Sequence, residues 1–263
     1  MPRFSANLTM LFTEHPFLER FAAAADAGFD AVEFLFPYEH TAAEVRDAVR
    51  DANLEVVLFN LPAGDWAGGE RGLAALPDRV PEFREGVERA LKYAAELDCP
   101  RLNCLAGLVA EGGDPAAQWL TLVENVRHAG KRVAAAGRTL VVEPVNDKDV
   151  AGFFLPTTTD AIRLLDEVGD PRVRLQFDVY HVQRMEGDVT PRLRALFDRI
   201  EHVQIADNPG RHQPGTGELN FGFLFDELDR LGYPGLIGLE YVPEPDTPSS
   251  LAWRERLTER SAS

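Results

Sequence analysis

The chain alternates from end to end between short apolar runs rich in β-branched residues and longer runs whose apolar residues recur at helical spacing. This alternation is typical of βα units that build a parallel sheet. The runs with strand composition are eight in number and cover residues 3–8, 31–36, 54–61, 101–107, 139–143, 173–178, 200–207 and 236–240. Eight units within 263 residues predict a single α/β domain over residues 1–263, folded as a closed (β/α)8 TIM barrel.

The runs between the predicted strands have the pattern of amphipathic helices. In residues 16–28, PFLERFAAAADAG, the apolar positions Phe17, Phe21 and Ala24 recur at helical spacing and Gly28 supplies a stop. Most of the other runs also end in Gly or Asn. The alternative fold is a doubly wound sheet, but such a sheet more often has about five or six strands. Neither a GxGxxG nor a Walker sequence follows the first strand, which weakens that alternative.

Charge and cysteine content limit the partners and the compartment. With 27 Lys plus Arg against 43 Asp plus Glu, the net charge of −16 disfavours nucleic acid and anionic membranes as partners. The two cysteines, Cys99 and Cys104, are not needed as a staple in a chain of this size, so a reducing compartment fits best. The N-terminal sequence MPRFSANLTM shows no targeting signal, and no stretch is apolar for long enough to span a bilayer. We therefore expect a cytoplasmic protein.

Within the later strands, polar and apolar residues take opposite faces. In VRLQFD, residues 173–178, the polar side chains Arg174, Gln176 and Asp178 share one face and the apolar side chains share the other. The strands 139–143, 200–207 and 236–240 alternate in the same way. Because the apolar face must pack beneath the helices, the polar face is expected to look into the barrel. A polar interior of this kind indicates a hydrogen-bonded network that leads to a site.

Four strands end in a residue that could supply an oxygen ligand: Glu143, Asp178, Gln204 and Glu240. They lie at the carboxyl ends of strands five to eight, which in this fold is the catalytic end. Three carboxylates that converge on one axis repel each other unless a cation lies between them. An all-oxygen set favours Mg²⁺ or Mn²⁺ over zinc. The alternatives are that a single Glu at a strand end is solvated or paired in a salt bridge, and that Gln204 belongs to a hydrogen-bond network.

The longer motifs of the chain are NLPAGDWAGGERG, VVEPVN, QFDVYHVQRMEGD, HVQIADNPGRHQPGTGELN and GLEY. They resemble the motifs of the hydroxypyruvate isomerase family, within the xylose isomerase-like barrels. The resemblance runs from RFSANLTMLF near the start to GLEY and so covers almost the whole chain. It implies a (β/α)8 barrel enzyme that interconverts hydroxypyruvate and 2-hydroxy-3-oxopropanoate, also called tartronate semialdehyde.

The resemblance also implies roles for the four strand-end residues. Glu143 and Glu240 would be the catalytic acid/base pair, and Glu143, Asp178, Gln204 and Glu240 would bind Mg²⁺, with Mn²⁺ as the alternative ion. In many members of the wider group a histidine stands where Gln204 stands here. The reaction agrees with this set, because moving a carbonyl group to the neighbouring carbon needs a base and an acid. A metal on the substrate oxygens would stabilise the enediolate as a Lewis acid.

The substrate of such an enzyme carries a carboxylate, which calls for a cationic side chain. Arg71, in the Gly-rich loop GDWAGGERG after strand three, is the first candidate because a guanidinium binds a carboxylate in a bidentate way. The glycines around it would let the loop close as a lid. The alternative is a surface arginine paired with Glu70 or Asp65. Arg211, in the loop after strand seven, is the second candidate.

His181 lies three residues past Asp178 and is a candidate for hydrogen bonding to a substrate oxygen. A lone histidine is more often structural, so both interpretations stay open for it. His202, deeper on its strand, is expected to belong to the network, and Trp66 is a candidate cap on the pocket.

Alternative functions remain at this point. The nearest is the same reaction on a four-carbon acid such as 2-oxotetronate, because one extra hydroxymethyl group is accommodated by loop shape. A barrel metallo-endonuclease would need a histidine-rich zinc cluster and a basic groove. The chain has only six histidines, few of them at strand ends, and a net charge of −16, and both facts disfavour that function. A sugar-acid receptor without turnover is the third class, and it does not need both Glu143 and Glu240. The expected partners are a small hydroxy-oxo acid and further copies of the chain in a homo-oligomer.

Overall fold

A closed parallel barrel of eight strands forms the centre of the molecule in the computed structural model, which describes residues 2–254. Each strand pairs with its neighbours in chain order, and β8 closes the barrel on β1. The strands are β1 (Arg3–Asn7), β2 (Ala31–Phe34), β3 (Glu55–Asn60), β4 (Arg101–Cys104), β5 (Thr139–Val142), β6 (Val173–Asp178), β7 (Ile200–Ile205) and β8 (Leu236–Leu239). The predicted (β/α)8 fold is confirmed.

Helices lie between the strands and pack around the barrel. They are α1 (Arg20–Asp26), α2 (Ala42–Asp51), α3 (Val80–Glu96), α4 (Pro115–Ala135), α5 (Thr158–Val168), α6 (Val179–Met185), α7 (Val189–Leu196), α8 (Phe221–Leu231) and α9 (Thr247–Ser250). Short 3₁₀ helices cover Phe17–Glu19, Pro77–Arg79 and Phe197–Arg199. The sequence patterns named no helix between β6 and β7, where α6 and α7 lie. Among the described residues, no helix is both long enough and apolar enough to cross a membrane.

Seven of the eight strands end one to three residues earlier than the apolar runs that predicted them, and β6 ends at Asp178 as predicted. β5 ends at Val142 and β8 ends at Leu239, so Glu143 and Glu240 lie one residue beyond their strands. After Glu143 the chain continues with Pro144, which has no backbone N–H to donate to a neighbouring strand. The pairing of β5 therefore cannot continue past Glu143, whereas the backbone N–H of Glu240 still donates to the carbonyl oxygen of Ile205 on β7 over 3.2 Å.

The barrel wall separates an apolar outer layer from a polar interior. Leu140 and Val142 of β5 belong to the large core between strands and helices, whereas Val141 belongs to a small inner cluster with Ala31 and Leu58. Polar side chains that are buried on the strands are Ser5, Asn7, Glu33, Asn60, Asn103, Gln176, Asp178, His202 and Gln204. On β5 the predicted alternation of faces is seen, but the residue opposite Leu140 and Val142 within the strand is the apolar Val141.

The two cysteines are free thiols and are buried in the outer layer. Burial raises the pKa of Cys99 and of Cys104 to about 12. Because the thiolate is the reactive form, both side chains are inert at neutral pH.

Two loops at the carboxyl end of the barrel touch through their backbones at Gly72 and Gly107. Both residues have positive φ angles, 127° and 104°. A Cβ atom at Gly72 would overlap the carbonyl oxygen of Leu105, and a Cβ atom at Gly107 would overlap the carbonyl oxygen of Gly72. Only glycine permits this contact, which ties the Gly-rich loop after β3 to the loop after β4.

Changing Gly107 to alanine is expected to destabilise the protein more than the same change at Gly187. Gly187 also has a positive φ, 64°, but a Cβ atom there would meet nothing within 4 Å. The Gly187→Ala variant should therefore lose about 1–2 kcal/mol from left-handed backbone strain alone. Gly107→Ala adds a clash with backbone atoms that cannot swing aside. Urea unfolding of both variants measures the difference, and equal losses would contradict the close contact.

Candidate active site

The carboxyl ends of β5 to β8 bring the four predicted oxygen ligands to one end of the barrel. Glu143 follows β5, Asp178 ends β6, Gln204 lies in β7 and Glu240 follows β8. All four residues are buried, with exposed fractions of 7% or less. A cavity of about 220 Å³ opens among them, and Glu143, Gln204 and Glu240 form part of its lining.

Glu143, Asp178 and His181 form a cluster that could hold a metal ion. One ligand atom from each residue lies within 4.8 Å of the other two. Nε2 of His181 is 3.8 Å from Oε1 of Glu143 and 3.5 Å from Oδ2 of Asp178. Oδ2 of Asp178 is buried and has no hydrogen-bond partner among the described residues. Since a buried charged oxygen without a partner is costly, this atom fits the role of a cation ligand.

The carboxylates of this site are crowded and shielded from water. Burial, and then repulsion by Glu240 and Asp178, raises the pKa of Glu143 well above its usual range. Burial also raises the pKa of Asp178, although Arg211 opposes the shift. Burial, together with repulsion by Asp178 and Glu33, raises the pKa of Glu240 to about 8 against the opposing effect of Arg211. Carboxyl groups in this situation hold a proton or share a cation.

Each of the two glutamates is held by a donor from a neighbouring element. Nδ2 of Asn103 on β4 donates to Oε2 of Glu143 over 2.8 Å. A guanidinium nitrogen of Arg211 lies 2.8 Å from Oε1 of Glu240, and Nδ2 of Asn7 donates to its Oε2 over 3.2 Å. Both carboxylates are therefore fixed in orientation before a substrate arrives.

Gln204 turns its amide nitrogen, not its oxygen, toward the carboxylates. Nε2 donates to Oε2 of Glu240 over 2.5 Å and to Oε1 of Glu33 over 2.6 Å. Its oxygen accepts a hydrogen bond of 2.5 Å from Nε2 of Gln176. In this arrangement, metal ligation by Gln204 would require its amide to turn over. Its role as a ligand stays a prediction.

Glu33 on β2 is a fully buried carboxylate that forms hydrogen bonds with residues of the site. It accepts hydrogen bonds from Ser5 over 2.9 Å and from Gln204, and it lies 2.8 Å from Nε2 of His202. Burial works to raise the pKa of Glu33, but His202 and the hydrogen bonds outweigh it and leave the pKa below its usual range. The predicted network role of His202 is confirmed. The sequence analysis missed Glu33, whose signal was a single charge within the apolar run AVEFLF.

Comparison with known proteins places the chain in a family. The family model for xylose isomerase-like TIM barrels matches residues 21–257. The chain belongs to this family. The 2-oxo-tetronate isomerase of Cupriavidus necator is 49% identical over 253 residues, which cover 96% of this chain and 97% of that protein. The hydroxypyruvate isomerase of Escherichia coli (strain K12) is 46% identical, with 97% of this chain and 99% of that protein covered.

A solved structure has nearly the same fold as this xylose isomerase-like barrel. It is a crystal structure from Brucella melitensis, described as an AP endonuclease of family 2, with a TM-score of 0.94 and 46% sequence identity. The match covers 97% of this chain and 99% of the Brucella melitensis chain. The relatives named hydroxypyruvate isomerase and 2-oxo-tetronate isomerase confirm the resemblance inferred from the motifs.

In this member of the xylose isomerase-like family, His181 reaches the cavity from the first turns of α6. Its side chain is 3% exposed and lies in the cavity lining. Burial, and then the nearby charge of Arg211, lowers the pKa of His181 well below its usual range. On its other side the ring contacts Asn146, which is fully buried and which the sequence analysis did not single out.

Arg211 also lines the cavity, where it lies between Glu240 and Tyr180. Its guanidinium carbon is 5.2 Å from the centre of the Tyr180 ring. The side chain of Arg211 is 22% exposed, and the backbone of this residue has a positive φ of 57°. Its pKa is raised, because the attraction of Glu240 and Asp178 outweighs the effect of burial. A permanently charged donor is therefore held at the edge of the cavity.

The loop that carries Arg211 is anchored by one buried carboxylate, Asp207. Its oxygens accept hydrogen bonds from four backbone N–H groups, with lengths of 2.9 to 3.1 Å, at Asn208, Gly215, Gly217 and Leu219. The backbone of Asp207 also pairs with that of His212 and accepts from the backbone of Arg211. One carboxylate thus holds four backbone groups of the loop, and the side chains of His212 and Gln213 add hydrogen bonds to Val242 and Glu244.

Arg71 lies outside the described lining of the cavity, whereas Trp66 from the same loop forms part of that lining. The guanidinium carbon of Arg71 is 4.3 Å from the centre of the Trp66 ring, and one nitrogen donates to the carbonyl oxygen of Glu70 over 2.7 Å. The carboxylate of Glu70 instead pairs with Arg79 over 2.6 Å. Arg71 is therefore positioned as a support for Trp66.

A second and larger cavity, of about 530 Å³, lies beside the first. Three residues line both cavities: Thr9, Leu35 and Trp66. The Trp66 ring packs against Phe36, with 4.9 Å between ring centres. Trp66 therefore stands in the wall between the two spaces.

Proposed function

We propose that this chain is an isomerase that interconverts hydroxypyruvate and tartronate semialdehyde. The observation that carries the proposal is the pair of buried glutamates, Glu143 and Glu240, that face one small cavity at the carboxyl end of the barrel. The hydroxypyruvate isomerase of Escherichia coli, 46% identical over nearly the full length of both chains, supports the substrate.

In the proposed reaction one glutamate removes a proton from a carbon next to the carbonyl group and the other returns a proton to the neighbouring carbon. A base and an acid serve best when their pKa lies near the working pH. The pKa of Glu240, raised to about 8, meets that requirement, and the pKa of Glu143 is shifted in the same direction by burial and by the neighbouring carboxylates. The hydrogen bonds from Asn103 and Arg211 keep each carboxylate aimed at the cavity.

The proposed cofactor is Mg²⁺, with Mn²⁺ as the alternative, held by Glu143, Asp178, Gln204 and Glu240. The unpartnered oxygen of Asp178 and the crowding of the carboxylates support a cation here. Oxygen donors favour a hard divalent ion. When bound, such an ion supplies Lewis-acid stabilisation of the developing enediolate charge.

The proposed substrate contacts are His181, Arg211 and Arg71. His181 faces a substrate oxygen, and Arg211 binds the substrate carboxylate, because both line the cavity. Arg71 reaches the substrate when the Gly-rich loop closes. The cytoplasmic location and the homo-oligomeric state stay predictions from the sequence.

Replacing Arg211 with alanine is expected to lower kcat/KM for hydroxypyruvate by about 10- to 100-fold, since a hydrogen bond to a charged group contributes about 1.5–3 kcal/mol. Both kcat and KM should change, because Arg211 also holds Glu240. Arg71→Ala is the matched comparison and should have a smaller effect. Steady-state kinetics of both variants test the assignment, and a larger loss in Arg71→Ala would reverse the roles of the two arginines.

The second candidate substrate is a four-carbon 2-oxo acid, which the relative from Cupriavidus necator named 2-oxo-tetronate isomerase supports. The larger cavity behind Trp66 favours such a substrate, because it offers space for one more hydroxymethyl group. Kinetics on both acids decide between the two substrates.

Replacing Trp66 with alanine is expected to join the two cavities and to raise the preference for 2-oxotetronate over hydroxypyruvate by about tenfold in kcat/KM. Leu120→Ala is the control, because Leu120 is 64% exposed on α4. An unchanged ratio in the Trp66 variant would mean that the wall does not limit substrate length.

The endonuclease interpretation has one supporting observation, the description of the Brucella melitensis structure. The net charge of −16 weighs against it, since phosphate contacts supply most of the affinity for DNA. A receptor without turnover is opposed by the presence of both glutamates. Incubation of the protein with DNA that contains an abasic site tests the endonuclease directly.

The test of the proposed function is an NMR assay of hydroxypyruvate in D₂O, with Mg²⁺, with Mn²⁺ and after treatment with EDTA. We expect metal-dependent formation of tartronate semialdehyde with deuterium incorporated from solvent. Conversion of 2-oxotetronate alone would select the second candidate. Conversion that is untouched by EDTA would leave the isomerase in place and remove the metal from the proposal.

A further inference from the structure

We propose that Asn146 is a positioning residue that fixes His181 as a neutral imidazole with its proton on Nε2. His181 then serves as a hydrogen-bond donor to the substrate rather than as a metal ligand. The inference rests on the proposed function for the identity of the substrate, but the position of the proton follows from contacts within the protein.

The orientation of the Asn146 amide is set by two backbone groups. Its Oδ1 atom lies 3.1 Å from the backbone nitrogen of Lys148 and 2.9 Å from that of Asp149. A backbone N–H can only donate, so the atom that faces these two groups must be the amide oxygen. The opposite atom, Nδ2, is therefore the donor.

The Nδ2 group of Asn146 can donate two hydrogen bonds, and it has two neighbours that can accept them. It donates to Oδ2 of Asp149 over 3.0 Å and lies 2.7 Å from Nδ1 of His181. The backbone N–H of Asn146 also faces the same Nδ1, but at 3.4 Å this contact is weak. Because the Nδ2 group at 2.7 Å can only donate, Nδ1 of His181 must be the acceptor. An imidazole that accepts at Nδ1 is neutral and carries its proton on Nε2.

The aspartate that completes this arrangement is itself held. Oδ2 of Asp149 accepts a hydrogen bond of 2.7 Å from the hydroxyl of Tyr180, and Oδ1 lies 3.3 Å from a guanidinium nitrogen of Arg184. Asn146 is fully buried. The amide therefore has no alternative partner in water and cannot turn over without losing several hydrogen bonds.

The protonated Nε2 atom of His181 faces the cavity. Its distances of 3.5 Å to Asp178 and 3.8 Å to Glu143 exceed the upper limit of about 3.2 Å for a good N–H···O hydrogen bond. The proton is thus directed into the site and left for a substrate oxygen. A nitrogen that carries a proton has no lone pair for a metal, so the cation is left to the oxygen donors.

A neutral imidazole is a suitable electrophile for a carbonyl that becomes an enediolate. It donates to the oxygen on which negative charge develops, and it does so without releasing its own proton in the resting state. Removal of one such donor typically lowers kcat by about 10²- to 10³-fold.

The first test is the position of the proton in the wild-type protein. Correlation of imidazole ¹⁵N and ¹H signals distinguishes the two neutral forms, and the signal that disappears in His181→Gln identifies His181 among the six histidines. We expect the Nε2–H form in metal-free protein and in protein loaded with Mg²⁺. A proton on Nδ1, or an Nε2 that shifts as a ligand on addition of the metal, would overturn the inference. This measurement needs no turnover, so its result is independent of the proposed reaction.

The second test replaces Asn146 with aspartate, which keeps the oxygen for the two backbone groups but presents a second acceptor to Nδ1. The proton is expected to move to Nδ1, and kcat should fall by about 10²- to 10³-fold while KM changes much less. In the double variant Asn146→Asp with Asp149→Asn the net charge is restored but the acceptor remains. Continued loss of kcat in the double variant supports the inference, and recovery would show that charge alone caused the loss.

Discussion

Changing Glu143 or Glu240 to glutamine is expected to leave the barrel folded and to lower kcat by about 10²- to 10⁴-fold in each case. Glutamine has the shape of glutamate, and its amide oxygen can still accept the hydrogen bond that Asn103 donates to Glu143. What is lost is the carboxylate that we propose takes up or returns the proton. Steady-state kinetics on hydroxypyruvate and the midpoint of thermal unfolding measure the two parts of this prediction.

Glu85→Gln is the matched control for both variants, because Glu85 is exposed on α3. Both glutamates are also proposed cation ligands, so Mn²⁺ binding should be measured on each variant by electron paramagnetic resonance. A variant that is inactive but binds Mn²⁺ has lost proton transfer, and a variant that no longer binds Mn²⁺ has lost the metal site. Wild-type activity in either variant would remove that glutamate from the mechanism.

Replacing Glu33 with alanine is expected to lower the free energy of unfolding by about 3–5 kcal/mol, because it leaves His202 and other buried donors without their partner. Gln204 and Asn7 both donate to Glu33 and to Glu240, so the carboxylate of Glu240 should also lose its fixed orientation. Urea unfolding monitored by circular dichroism gives the stability, and kcat gives the effect on the site.

The control for this variant is Glu85→Ala, a surface substitution expected to change stability by no more than about 0.5 kcal/mol. Similar losses in the two variants would mean that the network under the site contributes little to stability. A stable Glu33→Ala protein with low kcat would instead limit the network to orienting Glu240.

Local sequence patterns were sufficient to predict the barrel and the ends of its last four strands. Alternation of polar and apolar residues has the period of a strand, so residues such as Gln176 and Asp178 could be assigned to one face without knowledge of their neighbours. The same pattern placed Glu143 and Glu240 to within one residue of the strand ends. These features depend on residues that are close in sequence.

The features that could not be predicted depend on partners far apart in the chain. Glu33 contacts His202, which is 169 positions away, and Asn146 contacts His181, which is 35 positions away. Arg71 was the first candidate for the substrate carboxylate and Arg211 the second, on the ground that a guanidinium binds a carboxylate, but the structure puts Arg211 in the cavity lining and packs Arg71 on Trp66. No local signal distinguishes the two arginines.

The anchoring of the Arg211 loop by Asp207 has a consequence for how a new substrate preference could evolve. Because the carboxylate of Asp207 accepts hydrogen bonds from backbone N–H groups, these four anchor points do not depend on the side chains at those positions, whereas the side chains of His212 and Gln213 add hydrogen bonds to Val242 and Glu244. Gly217 is an exception, since a Cβ atom there would overlap the carbonyl oxygen of Asn208. Changes in this loop can therefore alter which acids fit the site, while the two glutamates that we propose transfer protons stay in place, because they follow directly on barrel strands β5 and β8.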